Sequence, residues 1–544
     1  MTKERLTPAR SRRLVGAACG VAAGTVALAA AQVGGSVVSG TRPPLQILGD
    51  FVVRVTPVSV TEALIRQVGR SDKLVLLICM LLVAACAAAT VGAQLSRGRV
   101  RPALIGIGLL TVLPVLAARG EAGTSSLREL LVLIPAGALG AAVLWVLGKP
   151  LLAVAVPPQP LAESGVTGSA SREARRARHA AAEHAALVQA GRGIERRQLL
   201  WATVVLTAAA ATGTAVVRQL SRPSAALMTR LRAALPQPTQ VLAPLTDEFA
   251  RFGASPLVTP TSDFYRIDTA LSPPQVDPDT WQLTLSRDGN PLATYTYEQL
   301  LSRATSQADI TIGCVSNEVG GDLVGTARWQ GVLLADLLRE AGVTSAGRVA
   351  GVSVDGFVAS FRGPLAFDGR PAMVAVGMNG APLPIKHGFP ARLVVPGLYG
   401  YTSATKWLER IDVSDSTDLP GFWADRGWTP EVTVHIMSRI DAPHDGDTIT
   451  GGTAKLAGVA WAPVSGVGAV EVQVDDGAWQ PARLSAAVTG TLWRQWVLDW
   501  RPSPGTHKVR VRAADATGTM QDTRRRPVYP SGSTGLHEIR VTAA

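Results

Sequence analysis

The sequence predicts a multi-span α-helical membrane anchor, then an α+β domain, then a C-terminal immunoglobulin-like β-sandwich. Three observations predict this. Five uncharged apolar runs occupy the first 220 residues. After Val217 the chain changes to strand-like segments mixed with a short helical pattern and frequent turns. After Glu431 it becomes alternating, β-branched and evenly punctuated by turns.

The runs are residues 14–38, 74–95, 102–118, 130–148 and 198–217. A helix needs about 20 apolar residues to cross the hydrocarbon core, so each is read as a span; the third is short and contains Pro114. Charge is uneven. Residues 1–220 carry 24 Lys+Arg against 10 Asp+Glu, whereas residues 221–544 carry 29 against 31. A basic protein invites a nucleic-acid reading. Here the excess flanks apolar runs, which fits membrane topology and not nucleic acid. The first thirteen residues, the Arg97–Arg101 stretch and the connection from Pro150 to Arg197 are arginine-rich. Basic flanks stay cytoplasmic, which puts the N-terminus inside and everything after Val217 on the extracytoplasmic side of a multi-pass cell-membrane protein. Glu195-Arg196-Arg197-Gln198-Leu199-Leu200 opens the fifth run and has the form of a twin-arginine export signal as well as of an ordinary basic flank. The runs contain no histidine and the chain no CxxCH, which argues against haem.

Residues 221–260 hold Pro223, Pro236, Pro238, Pro244, Pro256 and Pro260 and read as a linker with a short helix around Ala225–Leu235. The α+β domain spans 261–428. Its expected strands are Trp281–Leu285, Ile310–Cys314, Arg348–Val354, Met373–Met378 and Ala391–Val395, with a helix in Gly331–Ala341. Residues 429–544 form the sandwich. Val470–Val474, Trp493–Trp500 and His507–Ala513 are strands, separated by turns such as Asp475-Asp476-Gly477.

Four cysteines are present, and only Cys314 lies outside the apolar runs, so the soluble part forms no internal disulfide. Cys314 ends a strand and enters the polar, Gly-rich loop GCVSNEVGG, where a thiolate can take a soft metal. The segment KHGFPARLVVPGLYGYTSATKWL sets His387, Arg392 and Lys406 around a Pro- and Gly-broken strand, a cationic set suited to phosphate or a pterin.

The ordered motifs FYRIDT, TIGCVSNEVGG with ARWQGVLLADLL, and MNGAPLPIKHGFPARLVVPGLYGYTSATKWLERI resemble the molybdopterin domain of the sulfite oxidase family. The β region that follows resembles that family's dimerisation domain, so the resemblance covers roughly residues 261–544. It implies molybdenum-molybdopterin as cofactor, with Cys314 as the metal ligand. Arg266, Asp268, His387, Arg392 and Lys406 match positions that hold the pterin, its phosphate or the substrate. Asn317 matches a polar residue of the cysteine loop, and Thr405 joins the cofactor-binding set. Two departures stand out. Val319 occupies the position of an anion-binding arginine, and Phe357 that of a tyrosine near the metal, so the catalytic set here is Cys314, Arg266 and Phe357. The implied function is extracytoplasmic oxo transfer on a small molecule, with a separate electron-transfer partner and a homodimer through the C-terminal domain. The alternatives are a sulfoxide reductase of the methionine sulfoxide type fed by membrane electrons, and a non-catalytic binding module on the same fold.

Overall fold

The computed structural model describes residues 8–37, 43–56, 72–117, 126–153, 234–270 and 273–544, with isolated positions at 60 and between 200 and 211. The chain divides into two compact units, Met1–Arg222 with Ala270–Ser272, and Pro223–Thr269 with Pro273–Ala544.

The first unit is helical. Helices α1 (Pro8–Val37), α2 (Pro44–Val55), α3 (Asp72–Ala93), α4 (Val100–Ala117) and α5 (Ser126–Ala153) follow one another in sequence. Three stretches are long and apolar enough to cross a membrane: Arg13–Gly35, Val75–Arg97 and Glu129–Lys149. They cover the first, second and fourth expected spans. The third is the shorter apolar stretch Val100–Leu116, with Pro114 inside the helix. The fifth run and the twin-arginine segment lie largely or wholly outside the described residues. Small residues bring α1 and α3 together: a Cβ on Gly20 would sit 2.7 Å from the Gly92 Cα. Such close backbone approach is how helices associate where lipid is as apolar as leucine. Leu81, Leu82 and Val83 of α3 stay exposed, as hydrocarbon surroundings allow.

The second unit begins with the presumed linker, and here the structure departs from expectation. Residues 234–260 are strapped down. The Thr239 N–H donates to the Thr305 carbonyl at 2.9 Å, and Gln330 Nε2 donates to the Pro236 carbonyl at 2.7 Å. The Phe249 N–H donates to Gln495 Oε1 at 3.0 Å. Prolines make this segment irregular, but its backbone groups still find buried partners. The short helix expected at Ala225–Leu235 falls mostly outside the described residues.

Two sheets form the α+β domain. One joins, in order, β2 (Asn290–Thr296), β1 (Gln282–Arg287), β10 (Leu408–Ser414), β5 (Arg348–Ser353) and β6 (Val358–Arg362), with β1 parallel to β10. The other pairs β3 (Ser306–Gly313), β4 (Val324–Leu333), β7 (Met373–Met378) and β8 (Ala381–Pro382), with β9 (Arg392–Val394) also on β7. Helices α6 (Tyr297–Arg303) and α7 (Leu334–Glu340) pack their leucines on the shared core of Leu283, Ile310, Trp329, Val374 and Ile411. A capping box starts α6: Thr296 Oγ1 accepts from the Gln299 N–H, and Gln299 Oε1 accepts from the Thr296 N–H.

The C-terminal region is all β. One sheet joins β11 (Met437–Ala442), β13 (Ala454–Trp461), β17 (Arg494–Trp500) and β16 (Arg483–Leu484); the other joins β12 (Thr448–Ile449), β19 (His537–Ala543), β18 (Gly505–Asp515), β14 (Val467–Val474) and β15 (Gln480–Pro481). They share one core, to which Leu456, Trp496, Val472, Val511 and Val541 contribute. This region also seals against the α+β domain. The Trp493 N–H donates to Thr311 Oγ1 at 2.9 Å, and Thr491 Oγ1 donates to the Asp309 carbonyl at 2.7 Å.

Candidate active site

The elements converge on a cavity of about 850 Å³, its open mouth included, within the second unit. Its lining joins Cys314, Asp268, Phe357, His387, Arg392 and Lys406, all singled out from the sequence. Cys314 follows the last residue of β3, Arg392 opens β9, and Lys406 lies between α8 (Gly400–Ser403) and β10. Residues distant in sequence meet here because the two sheets place these strand ends side by side.

The cysteine loop is held from within and from outside. The Cys314 N–H donates to the Leu323 carbonyl at 2.8 Å, and the Asn317 N–H donates to the Cys314 carbonyl at 3.0 Å. Asn317 Oδ1 accepts from the Leu323 N–H at 2.8 Å. From the β-region, Ser533 Oγ donates to the Asn317 carbonyl at 2.6 Å and Arg439 Nη1 donates to the Gly321 carbonyl at 2.8 Å. Gly320 has φ +82° and lies against the His537 ring, so a side chain there is excluded by both conformation and space. Burial raises the Cys314 thiol pKa, while the backbone N–H groups of Ser316 and Val315, the Ser316 side chain and the Lys406 charge pull the other way. Metal binding would displace that proton.

One wall is cationic. Arg392 is 5 % exposed, and its guanidinium lies 5.0 Å from the Trp329 ring centre. Its Nη1 donates to the His387 carbonyl at 3.4 Å, but its buried Nε has no hydrogen-bond partner among the described residues. Burial lowers its pKa to about 10. A buried cation with an unfilled donor is costly unless an anion completes it. Lys406 is differently placed: its Nζ donates to the Ile267 carbonyl and to Asp268 Oδ2, both at 2.9 Å. Asp268, with a side chain 2 % exposed, also takes Arg266 Nε at 3.0 Å.

Not every sequence candidate reaches the cavity lining. Arg266 is half exposed and pairs with Asp268. Asn317 spends its side chain on the loop, and Thr405 Oγ1 donates to the Gly351 carbonyl at 3.5 Å. Each of these three side chains contacts a neighbouring residue. Phe357 does line the cavity, whereas Val319 packs on the junction with the β-region. The sequence reading missed Tyr265, Asp355, Tyr401, Trp423 and Trp428 in the lining. The signal for the tryptophans was the unusual aromatic density of Gly421-Phe422-Trp423-Ala424-Asp425-Arg426-Gly427-Trp428 in a turn-like stretch.

His387 is 1 % exposed, and its Nε2 lies 3.1 Å from the Thr261 carbonyl, so the neutral ring donates there. Burial first, then Arg392, Lys386 and Lys406, lower its pKa to about 4. In the unfolded chain a histidine protonates near pH 6.5. Its contribution to stability is therefore complete above about pH 6.5 and is lost as pH falls through about 4. The loss from this residue is on the order of 3 kcal/mol. Thermal melts of cofactor-free, detergent-solubilised protein should show it, and His387→Gln should flatten the profile between those pH values. An unchanged profile in the variant would exclude the residue as the source.

Residues 270–423 match the model of the oxidoreductase molybdopterin binding domain. The chain is 29% identical over 324 residues to human mitochondrial sulfite oxidase, which is 50% of this chain and 58% of that protein. It is 31% identical over 325 residues to the mouse counterpart, again 50% of this chain and 58% of the relative. Over 168 residues it is 30% identical to the NAD(P)H nitrate reductase of Hordeum vulgare, 26% of this chain and 19% of that protein. The chain thus spans less than two thirds of the length of these relatives.

Proposed function

We propose that this chain, whose residues 270–423 are a molybdopterin-binding oxidoreductase domain of the sulfite oxidase family, is a membrane-anchored enzyme that moves one oxygen atom between water and a small substrate. The observation that carries this is the pairing in one cavity of the Cys314 thiol with the unfilled buried donor of Arg392. The donor set fits molybdenum-molybdopterin: a thiol for a soft metal, and a planar fork for a phosphate. When bound, that cofactor supplies a two-electron centre for oxo exchange.

The chain's own residues do the rest. Cys314 would ligate the metal. Arg392, with its unfilled Nε–H, would hold the cofactor's phosphate, while neutral His387 and the Asp268-held Lys406 line the same cavity. Arg266 fixes Asp268, Thr405 ties the connection between α8 and β10 to β5 (Arg348–Ser353), and Asn317 keeps the loop closed. Tyr265, kept protonated by burial, offers a neutral hydroxyl. Overall, one oxygen passes between water and substrate with two protons and two electrons, the electrons going to or from a separate redox partner.

Residues 1–220 serve as the membrane domain, 261–428 as the catalytic domain, and 429–544 as an immunoglobulin-like domain that also forms a homodimer contact. The arginine-rich connections favour an extracytoplasmic catalytic domain. Molybdenum and pterin content of matured full-length protein tests the central reading. Stoichiometric metal supports it, and metal-free protein would favour a binding module. Replacing Arg196 and Arg197 by lysine is expected to leave the catalytic domain protease-protected in the cytoplasm of intact cells. Unchanged export would leave only the ordinary basic-flank role.

A second reading, reduction of a sulfoxide-type substrate, is supported by the aromatic lining residues Phe357, Tyr401, Trp423 and Trp428.

A further inference from the structure

Cys314 stands at the head of a long hairpin loop. The β3–β4 register runs up to Gly313 opposite Val324, so residues 314–323 close the turn. Hairpin loops of about two to five residues hold themselves by turn geometry, and longer ones depend on outside contacts. Within this loop the Gly321 N–H donates to the Glu318 carbonyl at 2.9 Å. The Asn317 and Gly321 carbonyls are instead filled from the C-terminal β-region, by Ser533 Oγ and Arg439 Nη1. The Cys314 sulfur accepts from the N–H and the side chain of Ser316, the residue before Asn317. Ser533 therefore holds the backbone one residue beyond the group that orients the thiol.

Arg439 lies in β11 with its side chain 12 % exposed. Its three nitrogens reach three segments. Nε donates to Asp441 Oδ1 at 2.5 Å on its own strand, Nη2 to Ser255 Oγ at 2.9 Å on the strap, and Nη1 to the loop. Asp441 Oδ2 in turn accepts from the Ser255 N–H at 2.8 Å. A planar fork whose other nitrogens are committed aims the remaining one in a single direction. The His537 ring backs the grip: a Cβ on Gly320 would collide with it, and its Nδ1 accepts from the Ile440 N–H at 3.0 Å, which fixes the ring. Ser533, Arg439 and His537 are not among the residues that line the cavity, so they act on it through the loop.

We propose that Ser533 and Arg439 are positioning residues of the metal site, through which the C-terminal β-region sets where the Cys314 sulfur stands. This rests on the reading of Cys314 as the metal ligand. Groups that bond to a ligand's own support orient the ligand and tune the metal. Removing one grip frees a buried carbonyl and lets the loop open locally while β3 and β4 stay paired. The thiol then samples poses in which it meets reagents from solution and is misaligned toward the metal.

The test uses full-length protein in detergent, as wild type, Ser533→Ala, Arg439→Gln and the control Ser438→Ala. Ser438 Oγ donates to Gln521 Oε1 at 2.8 Å within the same β-region, so its loss weakens that region without releasing either loop carbonyl. In cofactor-free protein, iodoacetamide labelling of Cys314 at one fixed pH is followed by mass spectrometry of its peptide. Ser533→Ala is expected to label about 10-fold faster than wild type, the factor that one lost hydrogen bond gives a local opening. Ser438→Ala is expected to label at the wild-type rate. Arg439→Gln should label at least as fast as Ser533→Ala, and the milder serine change keeps the test decisive if the arginine variant does not fold. In matured protein, the electron paramagnetic resonance signal of half-reduced molybdenum is expected to shift in Ser533→Ala at unchanged molybdenum content. Wild-type labelling in the clamp variants, an equal rise in Ser438→Ala, or an unshifted signal at full molybdenum content overturns the inference. Wild-type protein that matures without molybdenum counts against the oxo-transfer reading instead, and the labelling comparison then decides the grip by itself.

Discussion

Cys314→Ser is expected to fold, to hold no molybdenum above background, and to lose at least about 1,000-fold in turnover. The two side chains differ by one atom. The loop is shaped by the backbone of residue 314, through its N–H to Leu323 and its carbonyl to Asn317, and serine keeps both contacts. The melting behaviour of cofactor-free protein should therefore change by no more than about 1 kcal/mol equivalent. What serine cannot supply is a soft anionic donor, because its hydroxyl does not ionise near neutral pH. The cysteine itself is held as a thiol by burial, so the metal must displace its proton. Loading of the wild type should consequently improve as pH rises. A serine variant with full metal content by elemental analysis would remove Cys314 from the site.

Arg392→Met should produce the second large effect. Charge-assisted bonds to an anion contribute about 1.5–3 kcal/mol, so cofactor retention during gel filtration is expected to fall by about 10- to 100-fold. The stability of cofactor-free protein should move the other way or not at all, because methionine relieves a buried guanidinium that no carboxylate balances. The opposite signs separate binding from folding. Arg392→Lys should fall between, since an ammonium keeps the charge but not the planar fork. A methionine variant that retains cofactor like the wild type would show that Arg392 does not hold it.

Much was legible from local pattern. Apolar runs gave the helices of the first unit, with limits close to those observed: residues 74–95 against Asp72–Ala93, and residues 102–118 against Val100–Ala117. The strand read at Met373–Met378 is the strand observed. Helix α6 was overlooked although its Thr296-x-x-Gln299 capping signature was present, because it is short and follows directly on a strand. Helix α2 was also overlooked, lying between two stronger apolar runs.

By itself the sequence determined the division into an apolar helical part and a β-rich part, the singular position of Cys314, and the cationic identity of residues 392 and 406. These follow from composition and from periodicities of two or 3.6 residues, which act over a few neighbours. Only the tertiary structure decided which of those charges is occupied: Asp268 takes Arg266 and Lys406, while Arg392 keeps a buried donor unfilled. It likewise decided that residues 234–260 are a strap, that Ser533 and Arg439 clamp the cysteine loop, and that Trp423 and Trp428 wall the cavity. Each of these depends on partners brought together across the fold, from 66 residues apart (Thr239 to Thr305) to 246 (Phe249 to Gln495) for the strap and the clamp. Pairing at that distance is fixed by how sheets stack and which polar groups are buried together, and no local pattern encodes it.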